Sequence, residues 1–263
     1  MADRTRGTWL VMAMCGGVAA CGGAGGDGRT IEVPEGRLWG ARFSPDGATL
    51  AVAFGADDRI GTVDVGAGVL TERATGGSYL TGTAWTADGA RIYYTGGAGV
   101  FAVDLAGGAP VMVNDAFAAL GLDLSPDGTR LAYGTNGSSA RVYDLGAGTE
   151  AALDRPCQAI RFAPDGARVA CVSGGALVTL DLATGAATTV VADGLPFIVG
   201  LDWFADGQRL VVTTDAGLEE ITLAGRRTVL VDAFAAIEVD LSADDRQAVY
   251  LTNGAPGLTL VDL

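Results

Sequence analysis

The chain contains neither histidine nor lysine, and all 17 of its basic residues are arginines. Without histidine there is no Ser-His-Asp or Cys-His nucleophile, no histidine-ligated zinc and no imidazole to shuttle protons. Without lysine there is no Schiff-base chemistry. Positive charge is scarce too: 31 acidic residues set the formal net charge at −14 and the isoelectric point near 4.2. A field of that sign works against binding nucleic acid or anionic lipid, and attracts cations and basic partners. Cysteine occurs at only four positions, 15, 21, 157 and 171. The apolar stretch opening at Thr8-Trp-Leu-Val-Met-Ala-Met14 is too short to span a bilayer. Glycine, by contrast, is abundant. With 41 Gly and 49% apolar residues in 263, the composition suits one large, turn-dense β domain.

What the chain does have is a repeat. In Arg42-Phe-Ser-Pro-Asp-Gly-Ala-Thr-Leu-Ala-Val-Ala-Phe54 an extended segment meets a tight turn and then a β-rich apolar run. Proline presets φ in the turn, the Asp carboxylate accepts a turn amide, and glycine supplies positive φ. The turn recurs at Asp46-Gly47, Asp88-Gly89, Asp127-Gly128, Asp165-Gly166 and Asp206-Gly207, and at Asp244-Asp245 with glycine lost. The spacings are 42, 39, 38, 41 and 38 residues. A second mark closes most units, as at Val63-Asp64-Val65, Tyr143-Asp144-Leu145 and Val261-Asp262-Leu263; the fifth has Ile221-Thr222-Leu223. A period near 40 with four short strands per unit predicts an all-β, six-bladed propeller over residues 30–263. The last unit stops after its third strand. Arg29-Thr-Ile-Glu-Val33 is therefore expected to supply the missing fourth strand and close the ring.

The SPDG-type core resembles the WD40-like propeller repeat of the TolB family. The resemblance covers about residues 30–263 and implies the fold together with a cell-envelope role. The family's separate N-terminal α/β domain has no counterpart here.

Residues 1–20 read as a targeting segment, with Arg4 and Arg6 ahead of the apolar core. Val18-Ala19-Ala20-Cys21 resembles the lipobox of bacterial lipoproteins. That resemblance implies cleavage before Cys21, acylation of its thiol and new amine, and a stable membrane anchor. Gly22 in the following position implies an outer-membrane address. Residues 21–29 then form a flexible tether. An envelope location permits a disulfide between Cys157 and Cys171, which flank the turn of blade four on one face. The turn places Cys157 opposite about residue 173, one pair out of register, so a bridge and two buried free thiols stand as alternatives.

Candidate sites follow from the repeat. Four residues before each turn Asp lies a ring next to the channel: Arg42, Ala84, Asp123, Arg161, Asp202 and Asp240. One reading is a cation or substrate site with Asp123, Asp202 and Asp240 as oxygen ligands. The other is ion pairing between blades, Asp123 with Arg161 and Asp240 with Arg42, leaving Asp202 as the odd carboxylate. The connections entering each blade carry Trp39, Tyr79, Phe117, Phe197 and Phe234, an aromatic set suited either to a binding face or to the channel mouth. Asp57 and Asp58 are read as solvated charges, with a loop calcium site as the alternative.

The function expected is a membrane-tethered, non-catalytic module that binds another envelope protein or peptide, with no cofactor or metal assigned. The competing expectation is a calcium-dependent, lactonase-like hydrolase using the channel carboxylates. Finally, Asp115-Ala-Phe-Ala-Ala-Leu-Gly-Leu-Asp-Leu-Ser125 nearly repeats as Asp232-Ala-Phe-Ala-Ala-Ile-Glu-Val-Asp-Leu-Ser242, which points to a duplication.

Overall fold

The structure is a computed structural model that describes residues 28–33, 37–55, 59–75, 82–116, 119–135, 138–196, 200–233, 236–253 and 257–263. Among them are 24 strands and no helix. The first strand is β1 (Arg29–Ile31). Blade one follows as β2 (Leu38–Phe43), β3 (Thr49–Phe54), β4 (Arg59–Asp64) and β5 (Leu70–Thr75). Blade two is β6 (Thr83–Trp85), β7 (Arg91–Gly96), β8 (Gly99–Asp104) and β9 (Val111–Asn114). Blade three is β10 (Ala119–Leu124), β11 (Arg130–Thr135), β12 (Ser138–Asp144) and β13 (Thr149–Ala152). Blade four is β14 (Ala159–Phe162), β15 (Arg168–Ser173), β16 (Ala176–Asp181) and β17 (Ala187–Val191). Blade five is β18 (Leu201–Trp203), β19 (Arg209–Thr214), β20 (Gly217–Thr222) and β21 (Arg227–Val231). Blade six has β22 (Ala236–Leu241), β23 (Gln247–Thr252) and β24 (Leu258–Asp262).

Each sheet is an antiparallel meander of four strands, and the sixth reads β1-β24-β23-β22. Arg29 lies opposite Leu260 and Ile31 opposite Leu258, so the N-terminal strand completes blade six. Ile31 and Val33 then enter a core cluster shared by blades six and one, with Leu50, Phe54, Val249 and Leu258. Burying an aliphatic side chain of that size contributes about 1.5–3 kcal/mol. The ring is thus closed by apolar packing as well as by backbone hydrogen bonds, and closure removes the open sheet edges that a partial ring would expose.

The turn chemistry is what the residue types dictate. Asp46 accepts the Ser44 hydroxyl at 2.6 Å and the Ala48 amide at 3.0 Å, and Gly47 sits at φ 71°. The same hydroxyl-to-carboxylate bond forms at Ser125–Asp127 and Ser242–Asp244. Where glycine is lost, Asp245 takes the left-handed position itself at φ 60°. Its carboxylate accepts the Ala205 amide of blade five at 3.0 Å, so the strained residue also ties two blades together.

Blade packing shows an approximate two-fold repeat of three blades. Gly82, Trp85 and Thr95 correspond to Gly200, Trp203 and Thr213, each 118 positions on. Gly82 and Gly200 both donate to the hydroxyl of their partner threonine, at 2.9 and 2.8 Å. Both also press against the next blade: a Cβ would lie 2.7 Å from the Leu122 nitrogen at Gly82, and 2.5 Å from the Glu238 Cα at Gly200. Trp85 and Trp203 each donate their indole N–H to the carbonyl of the preceding blade's arginine, Arg42 at 3.1 Å and Arg161 at 3.3 Å.

Cys157 and Cys171 form a disulfide with Cα atoms 5.5 Å apart. The register differs from the sequence expectation. Cys171 faces Ile160, and β14 does not begin until Ala159, so Cys157 lies outside the ladder. The amide of Gln158 turns in to the Val172 carbonyl at 2.9 Å. That bend brings Cys157 back over β15.

Candidate functional site

The innermost strands β2, β10, β14, β18 and β22 bring the charged ring together. Alternate residues of a strand share a face, so one position per strand points to the channel and the next blade. At Asp123, Asp202 and Asp240 the same bond recurs. Each carboxylate accepts a backbone amide of the following blade, from Phe162 at 2.7 Å, Leu241 at 2.9 Å and Phe43 at 2.7 Å. At Arg42 the polarity is reversed, and its Nε donates to the Thr83 carbonyl of blade two at 3.3 Å.

The arginines also cross the channel. Arg42 pairs with Asp240 of the neighbouring blade, reaches Asp123 of blade three at 2.8 Å, and lies 3.9 Å from Asp202. The expected Arg42–Asp240 pair across the closure is present. The expected Asp123–Arg161 pair is not the one that forms. Arg161 instead reaches Glu238 of blade six at 2.7 Å, while Arg42 takes the free oxygen of Asp123 from the far side. Three salt bridges thus run across the bore, from blade one to three, more loosely from blade one to five, and from blade four to six.

Glu238 escaped the sequence reading, although a signal was present. It stands two residues before Asp240 and therefore on the same face of β22. The matching position in the first half is Gly121, and the position matching Asp202 is Ala84. The first half contributes one arginine and one aspartate to the cluster; the second adds both extra carboxylates. Four carboxylates therefore face two guanidinium groups, with a formal excess of two negative charges.

Burial and this imbalance set the protonation. Desolvation pushes Asp240 up to about 7, with Arg42 opposing and Asp202 reinforcing the shift. Desolvation likewise raises Asp123 and Glu238, against the pull of the arginines. For Arg42, burial lowers the guanidinium, but Asp240, Asp123, Asp202 and Glu238 outweigh it and the net shift is upward. Asp123, Asp202 and Asp240 line a cavity of about 240 Å³ beside Ser44 and Pro45. The cluster thus opens on the side of the SPDG turns. Among the described residues no group of three or more acidic, cysteine or histidine side chains is disposed to hold a metal.

Of the aromatic set, Trp39 is described. It lies half-buried on β2 over Gly55, with the Arg37 guanidinium 5.0 Å from its ring centre. Tyr79, Phe117, Phe197 and Phe234, the Asp57-Asp58 pair and Cys21 lie outside the described residues.

No family model matches the chain, and no curated protein matches it. Solved structures do. A chain of the mitotic checkpoint complex is similar at 17% identity and TM-score 0.68, covering 98% of this chain and 99% of its own. A chain of hydrazine synthase from Kuenenia stuttgartiensis is similar at 14% identity and TM-score 0.66, covering 89% of this chain and 97% of its own. Likeness at that identity shows the fold: a WD40-like, six-bladed β-propeller.

Proposed function

We propose that this propeller is a TolB-type, lipid-tethered module of the bacterial cell envelope that binds another protein or a peptide without catalysing a reaction. The observation that carries this reading is the state of the channel. Arg42 and Arg161 span the bore and occupy carboxylate oxygens that a substrate or metal would need, while backbone amides occupy others. With the bore bolted, recognition falls to the outer surfaces, where variable connections leave a regular scaffold. A structural neighbour that belongs to a multiprotein complex accords with a propeller used as a binding surface. The Val18-Ala19-Ala20-Cys21 segment supports the tether, with the protein at the outer membrane.

Site-specific photo-crosslinking in the native envelope tests the reading. Probes at Trp39, Tyr79, Phe117 and Phe197 are compared with a probe at Pro45 on the SPDG-turn side. A discrete adduct from the first set and none from Pro45 is the expected result. Absence of any adduct from every probe overturns it.

One observation favours the alternative of a calcium-dependent, lactonase-like hydrolase: the two uncompensated carboxylates at the mouth of the bore. On that reading calcium raises the melting temperature of the wild type, and Asp202→Ala abolishes the rise. An unchanged melting temperature removes it.

A further inference from the structure

A groove of about 420 Å³ runs between blades three and four, away from the channel. Every residue from Thr149 to Arg155 lines it, together with the C–D turn of blade four. Its floor is apolar: Val142, Leu153, Leu180 and Leu182 belong to, or pack against, the core cluster of blade four. Its rim is acidic. Asp144, Glu150, Asp154 and Asp181 line it against Arg130 and Arg155. Arg130 is committed elsewhere, donating to the Gly166 carbonyl at 2.8 Å with its guanidinium 5.5 Å from the Phe162 ring centre. Asp181 is held ionised by the Thr184 hydroxyl and amide, which pull its carboxyl below the usual range. Asp154 is exposed and has no side-chain partner among the described residues.

The groove wall is preformed. Ala140 donates to the Arg155 carbonyl at 2.8 Å and accepts the Leu153 amide at 2.9 Å, which folds the segment after β13 back onto β12. The Cys157–Cys171 disulfide fixes the same segment two residues further on. Between these ties Asp154 is held at φ 52°, in the left-handed region, with its carboxylate on the rim. A wall ordered before binding removes an entropic cost that a mobile loop would carry. β13 itself is exposed at all four residues. The four residues of β13, at about 3.3 Å each, give an extended wall of roughly 13 Å, the reach of an extended segment of about four residues.

We infer that this groove docks an extended segment of a partner protein in which aliphatic residues alternate with arginine or lysine. Alternate side chains of an extended chain point to opposite sides. The aliphatic ones enter the Val142–Leu153–Leu182 floor, and the basic ones meet Asp154 and Asp181 at the rim. The site is independent of the aromatic face proposed above.

Fluorescence anisotropy of a labelled Val-Arg-Val-Arg-Val-Arg peptide on the full folded chain tests this, with Val-Glu-Val-Glu-Val-Glu as the opposite-charge probe. The basic peptide should bind saturably and the acidic one should not. Asp154→Asn keeps a side chain that tolerates positive φ while removing the charge, and should weaken binding about two- to fivefold, the scale of one exposed ion pair. Ala151→Trp places bulk on an exposed lining position and should weaken it on the order of tenfold. Asp215→Asn removes one exposed charge from blade five and reports the contribution of net charge alone. No saturable binding, or equal weakening by Asp154→Asn and Asp215→Asn, overturns the proposal. Neither result bears on crosslinking from Trp39, so the two readings fail separately.

Discussion

At the scale of single residues, Asp240 and Arg42 carry the sharpest consequences. The folded Asp240 carboxyl titrates near 7, against 3.8 for the unperturbed group. Between those values the unfolded chain has released a proton that the folded chain still holds, so stability falls as pH rises, and the trend flattens above about pH 7. The turn aspartates act in another window: Asp46, Asp127 and Asp244 are lowered chiefly by their serine hydroxyls, and their contribution is lost only under more acidic conditions. Melting temperature measured from about pH 5 to 7.5 should therefore decline in the wild type and decline less in Asp240→Asn. Parallel profiles would show that the cluster does not hold this proton. Arg42→Met strands Asp123, Asp202 and Asp240 without their shared cation. Removing one partner of buried charges costs about 3–5 kcal/mol, to be read by urea unfolding. Adding Asp240→Asn to Arg42→Met should recover part of that loss, because the two side chains are directly coupled.

At the scale of the element, turns and strands were legible and cross-channel contacts were not. Ser-Pro-Asp-Gly fixes a hairpin through local bonds, so its position can be read from any copy. The partner of Arg161 depends on which blade lies across a bore some 77 residues later in the chain, and no local pattern encodes that. The same limit explains Cys157: alternation continued past Ala159 gives the wrong register, because the bend at Gln158 is set by neighbouring backbone rather than by residue type. The closing strand could be anticipated, since a propeller lacking one strand leaves an unpaired edge on β24. Deleting residues 29–33 should lower stability by about 3–6 kcal/mol through loss of Ile31 and Val33 from the core, together with three paired residues. Unchanged denaturant unfolding would mean that β1 closes nothing.

At the scale of the whole molecule, the ring is two similar halves of three blades made unequal at the channel. Ala84 and Gly121 in one half stand against Asp202 and Glu238 in the other, so the charge excess is a property of the second half. The tether reading makes its prediction at this scale: Cys21→Ser should move the protein from the membrane fraction to the soluble fraction, and continued sedimentation with membranes would place the anchor elsewhere. Ring closure by β1 has a mechanical corollary. The strand nearest the N-terminus is also the outermost strand of blade six, held by three residue pairs and two buried aliphatic side chains. Any pulling force delivered through the N-terminus loads that seam before it reaches the rest of the ring. Blade six should yield first under tension, and the other five blades, each built from one continuous stretch of chain, should be strained only after the ring has opened.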